Sequence, residues 1–189
     1  MGYQIHKDFT WDMGHRISQH GGKCFSPHGH SYRATVYLSN SSLDSKGMIL
    51  DFYDLTQTVA PIVEELDHAF LLYEHDIVMS WFFSQMSNAR GIFDNGGIGV
   101  QIDARFSVAS KDTTPVSVAP IGGSLGIAND DLPRLFKIKK VPFESTAENI
   151  AKYIFDRVKE TIPNVCKVDV WETPKCCATY EPVPDQPPV

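Results

Sequence analysis

The sequence predicts an α+β fold. Apolar and polar residues alternate with period two near both ends of the 189-residue chain, and two helical stretches with apolar stripes lie between those ends. The first strand covers the run from Tyr3 to Met13, where Ile5, Phe9, Trp11 and Met13 fall at odd positions and so share a face. Gly14 could interrupt it; without a bulge, the same parity turns His15 inward. The second strand spans 32–38, with mostly apolar even positions. Extending its parity backwards puts His30 and His28 on the apolar face.

A turn and short apolar run from Lys46 lead to Phe52, Leu55, Val59, Val63 and Leu66, a single helical stripe, with Pro61 predicting a kink or a break. Asp67 and His68 stand where this helix ends. A second helix begins at Ser145-Thr146-Ala147-Glu148, which has the form of a capping box, carries Ile150, Ile154 and Val158 on one side, and stops by Pro163. A third strand runs from Cys166 to Glu172, with Cys166, Val168, Val170 and Glu172 in one register, and a fourth from about Ala178 to Pro182. The Pro-rich tail to Val189 is expected to fray.

The stretch from Asp76 to Lys140 departs from this plan. It begins apolar and aromatic from Ile77 to Met86, turns rich in Gly and Ser, and offers a further strand at 136–143. It is too long for a bare loop, so the chain reads as a single domain, residues 1–189, with an insertion at about 76–140 that carries its own hairpin or lid.

Seventeen basic against 23 acidic residues give a net charge of −6, which argues against a general nucleic-acid binder. No apolar run approaches the ~20 residues of a membrane span, and the N-terminus lacks the blocks of a signal peptide, so a cytoplasmic protein is expected. In that reducing setting Cys24, Cys166, Cys176 and Cys177 are expected to be free thiols.

His15, His28 and His30 would converge on one semi-buried point if the parities hold. Three imidazoles suit zinc and leave a fourth position open for chemistry. His-Gly-His alone reads more readily as histidines merely hydrogen-bonded on a sheet; His15 in matching parity and Cys24 nearby bring the metal reading level with it. Cys24 itself reads as a small buried side chain, a fourth ligand, or a thiolate base. Asp67 and His68 offer a carboxylate and an imidazole that could relay its proton. Glu172, ending an apolar stripe, is either a solvated strand end or a carboxylate anchor for two N–H groups of an amino-pyrimidinone.

Phe9-Thr10-Trp11-Asp12-Met13-Gly14-His15, Cys24-Phe25-Ser26-Pro27-His28-Gly29-His30, Leu66-Asp67-His68, Thr146-Ala147-Glu148-Asn149 and Trp171-Glu172-Thr173 together resemble the 6-pyruvoyl tetrahydropterin synthase superfamily. The three-residue spacer between Cys24 and His28 looks most like its carboxytetrahydropterin-forming branch.

The resemblance implies a tunnelling fold, in which a four-stranded antiparallel sheet has two helices between strands two and three and assembles as a trimer or dimer of trimers with active sites between subunits. It implies zinc on His15, His28 and His30, Cys24 as general base with Asp67 and His68 as relay, and Glu172 with Thr173 at the pterin. The substrate it implies is 7,8-dihydroneopterin triphosphate, a small molecule, giving 6-carboxy-5,6,7,8-tetrahydropterin, acetaldehyde and triphosphate on the route to queuosine. Alternatives are a pyruvoyl-type synthase that only eliminates triphosphate, and a non-catalytic pterin- or metal-binding module. One departure from the pattern is Ser145 where many members have Pro, and a Ser cap is expected to serve the helix equally well.

Overall fold

The structure, a computed structural model, describes residues 2–88 and 137–183. By contacts the chain divides into two compact units, Met1–Ile77 with Phe136–Val189, and Val78–Leu135. The second overlaps the expected insertion, whose hairpin or lid lies outside the described residues.

Strand β1 (Tyr3–His15) and strand β2 (His28–Asn40) pair antiparallel along their whole length, from Tyr3 opposite Asn40 to His15 opposite His28. Gly14 does not interrupt β1. It pairs with Gly29 across the ladder and donates its N–H to the Ala69 carbonyl at 2.9 Å. The connection between the two strands holds a 3-10 turn at Lys23–Phe25.

Helix α1 (Phe52–Leu66) starts where the Asp51 carboxylate accepts the Tyr53 N–H at 2.8 Å. It continues past Pro61, which is exposed, as is Gln57, whose carbonyl loses its helical partner there and faces water instead. Strand β3 (Phe70–Tyr73), helix α2 (Ile77–Asn88), strand β4 (Ile138–Val141) and helix α3 (Ala147–Lys159) follow, then β5 (Val165–Thr173) and β6 (Cys176–Tyr180).

Among the described residues the strands form one mixed sheet in the order β4-β3-β1-β2-β5-β6. The antiparallel run β1-β2-β5-β6 matches the four strands expected, but β3 and β4 extend it with parallel pairing, so the sheet is six-stranded rather than four-stranded. β3 was not foreseen because consecutive residues Leu71 and Leu72 are both buried, which erases alternation.

The core lies between one face of the sheet and helices α1 and α3. Trp11, Met13, Tyr32, Ala34, Val36 and Leu38 meet Leu55, Val59 and Leu66 from α1 and Ile150, Ile154 and Val158 from α3. In β5 the register shifts at Tyr37 and Leu38, so Val165 rather than Cys166 pairs with Leu38. Cys166 leaves the face assigned to it, and its thiol donates to the Tyr37 carbonyl at 3.5 Å. No helix among the described residues is long and apolar enough to cross a membrane.

Candidate metal centre and active site

The opposed ends of β1 and β2 build the centre. Odd positions of β1 and even positions of β2 share the core face, so Trp11 faces Tyr32, Met13 faces His30, and His15 faces His28. The imidazole centroids of His15 and His28 lie 4.5 Å apart, those of His28 and His30 5.0 Å, and those of His15 and His30 5.4 Å. One ring nitrogen from each falls within 4.8 Å of the others. Gly29 makes this approach possible, because a Cβ there would stand 2.9 Å from the Met13 carbonyl oxygen.

Two rings are held by main-chain carbonyls. His15 Nδ1 lies 2.7 Å from the Ser145 carbonyl oxygen and His28 Nδ1 lies 2.8 Å from that of Ser26. A carbonyl only accepts, so both Nδ1 atoms carry the proton and both Nε2 atoms are left unprotonated, with a lone pair that can accept a hydrogen bond or ligate. His15 is fully buried, and burial, with His28 and His30 adding to it, lowers its pKa to about 4. It is therefore neutral at physiological pH, the form that ligates. Three imidazoles whose ring nitrogens converge are a donor set that fits a zinc ion. Tyr32, stacked on Trp11 at 5.3 Å, brings its hydroxyl to 3.0 Å from His15 Nε2 and 3.5 Å from Glu172 Oε1.

The profile of the 6-pyruvoyl tetrahydropterin synthase family matches residues 4–183, nearly the whole chain. The chain belongs to this family. It is 28% identical over 184 residues to a 6-carboxy-5,6,7,8-tetrahydropterin synthase of Haemophilus influenzae, covering 95% of this chain and 99% of the other. It is 24% identical over 204 residues to the synthase of the same name from Aquifex aeolicus, covering 96% and 99%. Among solved structures, an uncharacterized Wolinella succinogenes protein superposes with a TM-score of 0.66 at 22% identity, over 96% of this chain and 98% of that one. A 6-pyruvoyl tetrahydropterin synthase of Caenorhabditis elegans does so with 0.55 at 20% identity, over 97% of both. These two likenesses speak to the fold.

In this family member the other expected site residues fall in three places. Cys24 sits half-buried in the 3-10 turn, within electrostatic reach of the Tyr32 hydroxyl, whose pKa is raised by burial and then by Glu172 and Cys24. Glu172, half-buried at the end of β5, continues the face of Val168 and Val170 toward Tyr32, as its register predicted. Thr173 lies beside it at a bulge in the β5–β6 ladder and accepts the Lys175 N–H at 3.3 Å.

Asp67 and His68 form a dyad of their own, His68 Nδ1 lying 2.8 Å from Asp67 Oδ2. The Asp12 N–H, donated to Asp67 at 3.0 Å, is the main cause of a lowered Asp67 pKa, with His68 assisting. His68 has φ +54° and is 77% exposed. Among the described residues no hydrogen bond joins this dyad to Cys24 within the chain.

Two residues of the centre escaped the sequence reading. Tyr32 was legible in principle, because it follows His30 by two and must share its face. Ser145 was not, because it lies 130 residues from His15. Nor is Ser145 the helix cap: Thr146 takes that place, accepting the Asn149 N–H at 3.4 Å, while the buried Ser145 hydroxyl donates to the Arg16 carbonyl at 2.8 Å. Two adjacent hydroxyl residues made the cap ambiguous by one position, and the buried carbonyl of Arg16 claimed the first.

Proposed function

We propose that the chain converts 7,8-dihydroneopterin triphosphate and one water to 6-carboxy-5,6,7,8-tetrahydropterin, releasing acetaldehyde and triphosphate, with zinc held by His15, His28 and His30. The observation that carries the reading is the convergence of three imidazoles, two of them fixed by carbonyls with Nε2 left unprotonated. The relatives named as 6-carboxytetrahydropterin synthases favour this product over a pyruvoyl one.

When bound, zinc supplies a Lewis acid that lowers the pKa of the substrate's side-chain hydroxyls. The Glu172 carboxylate accepts two N–H bonds from the pterin edge and so fixes the ring, with Thr173 beside it. Cys24, as the general base, takes protons from the side chain, and the Asp67 and His68 pair passes them on. That pair makes no bond to Cys24 among the described residues, which suits a relay completed between subunits of a homo-oligomer, a trimer or dimer of trimers. The enzyme then works in the cytoplasm on a small-molecule substrate, upstream of 7-deazaguanine bases such as queuosine.

Zinc-loaded protein incubated with 7,8-dihydroneopterin triphosphate is expected to yield acetaldehyde and a 6-carboxy product by mass spectrometry. A product retaining the three-carbon side chain would assign the pyruvoyl reaction instead. Equal turnover by wild type and Cys24→Ala, both holding zinc, would remove Cys24 from the chemistry.

A further inference from the structure

Arg16 is an arginine buried to 6% exposure beside the centre, and neither the metal site nor the proton path uses it. Its partner is Asp76, itself only 3% exposed, whose Oδ2 lies 2.9 Å from Arg16 Nε. The Nε–H does not point along that line, so the contact is an ion pair rather than an aligned hydrogen bond. The guanidinium also lies over the ring of Phe25, with Cζ 4.5 Å from its centroid. Phe25 follows Cys24 directly and ends the 3-10 turn that carries it.

The backbone around Arg16 is tied on both sides. Ile17 donates its N–H to the Cys24 carbonyl at 2.8 Å, and the Arg16 carbonyl accepts from the Ser145 hydroxyl at 2.8 Å. The Ser18 N–H donates to Glu144 at 3.1 Å, and its hydroxyl bonds the same carboxylate. Within the turn itself the support is main-chain only, the Phe25 N–H donating to the Gly22 carbonyl and the Ser26 N–H to that of Lys23, both at 3.1 Å, and its side chains are not buried. A cation fixed by a buried carboxylate and laid on an aromatic face is a stiff strut, because a planar guanidinium keeps its orientation over the ring.

We propose that Arg16, held by Asp76 and stacked on Phe25, is a positioning residue that sets where the Cys24 thiol points relative to the three-histidine centre. The consequence for reaction rests on the reading of Cys24 as the base; the mechanical part does not. A proton acceptor displaced by even a fraction of an ångström loses rate steeply, while binding of metal and pterin, which use other residues, is unaffected.

Phe25→Leu tests this without leaving a buried charge unpaired, and Phe25→Trp, which restores a stacking face, is its conservative counterpart. With zinc-loaded full-length protein, Phe25→Leu is expected to lower kcat about tenfold or more, with KM and zinc content unchanged, and Phe25→Trp to recover most of the loss. In the same samples without substrate, the rate of Cys24 alkylation by iodoacetamide, followed by peptide mass spectrometry against Cys176 as internal reference, is expected to shift at least about threefold in Phe25→Leu, and the Trp variant to return it. Arg16→Lys, which keeps the charge but not the plane, is expected to behave like Phe25→Leu in both readouts.

An unchanged Cys24 alkylation rate in both Phe25→Leu and Arg16→Lys would overturn the proposal. So would losses in kcat that the Trp variant does not recover. A shifted alkylation rate with unaltered kcat would leave the strut standing and count against Cys24 as the base.

Discussion

Tyr32 and His15 carry the clearest consequence at the scale of single residues. Among the described residues the Tyr32 hydroxyl is the group that His15 Nε2 has within hydrogen-bond reach, since Nδ1 is committed to Ser145. Removing it leaves a buried acceptor without a donor, which costs about 1–3 kcal/mol. Tyr32→Phe is therefore expected to destabilise the metal-free protein by that amount in urea unfolding, and zinc saturation, by engaging Nε2, to close most of the gap. An equal loss with and without zinc would show that Nε2 is not the ligating atom. His28→Ala removes one of three donors, and a loss of about 10-fold or more in zinc affinity is expected by competition with a chelating dye. At this scale strand parity made the three imidazoles legible, because side-chain direction on a strand follows from counting by two. What parity could not show was which acceptors orient them. Ser145 is brought in by the packing of α3, and Ser26 acts through a carbonyl that any residue would supply.

Among elements, α1, β4 and α3 are joined by one carboxylate. Glu65 pairs with Lys139 of β4 and lies 3.2 Å from Arg157 of α3, with the Tyr153 hydroxyl donating at 3.1 Å. The Lys139 ammonium, and then Arg157, hold its pKa down to about 2 from an ordinary 4.5, against a smaller opposing effect of burial. Because the folded value is the lower one, the stabilisation is present above about pH 4.5 and is lost as pH falls toward 2. Glu65→Gln is expected to be less stable than wild type at pH 7, with the two urea midpoints converging as pH drops below about 4. The size is modest, since Glu65 is about one-third exposed and solvent screens it. Gly29→Ala tests the β1–β2 ladder, because the new methyl would meet the Met13 carbonyl, main chain that cannot rotate away. A loss of about 1–3 kcal/mol is expected, together with weaker zinc binding, read by urea unfolding and by titration.

The long elements were legible for the reason that they are long: β1, β2, α1 and α3 each repeat one period many times, and their apolar faces all turn out to line the core. Short β3 and β4 were harder. Two buried leucines in a row in a four-residue strand carry no period, and β4 was suggested by its sequence without a partner to name. The register shift in β5 inserts an irregularity that no alternation can announce, which is why Cys166 was placed on the wrong face while Glu172 was placed correctly.

For the whole molecule, β4 and β6 are the outermost strands of the described sheet, and each presents backbone groups that a neighbouring chain can pair. Sedimentation velocity is expected to show a trimer or a dimer of trimers at micromolar concentration, and a monomer there that turned over substrate would sink the shared-site reading of Asp67 and His68. The α+β class and the family were legible from motifs at the two ends of the chain, where the residues of the site are concentrated. The extent of the sheet was not, since half of its parallel part is drawn from the stretch that obeys no simple pattern. The hydrogen bond from His15 to Ser145 also has a bearing on biogenesis. A ribosome has made all three imidazoles long before it makes residue 145, yet the ring of His15 acquires its lasting orientation only when that distant carbonyl arrives. Capture of the proposed ion in its final geometry would thus be a closing step of maturation, and a truncated nascent chain would offer ligands without an aligned socket.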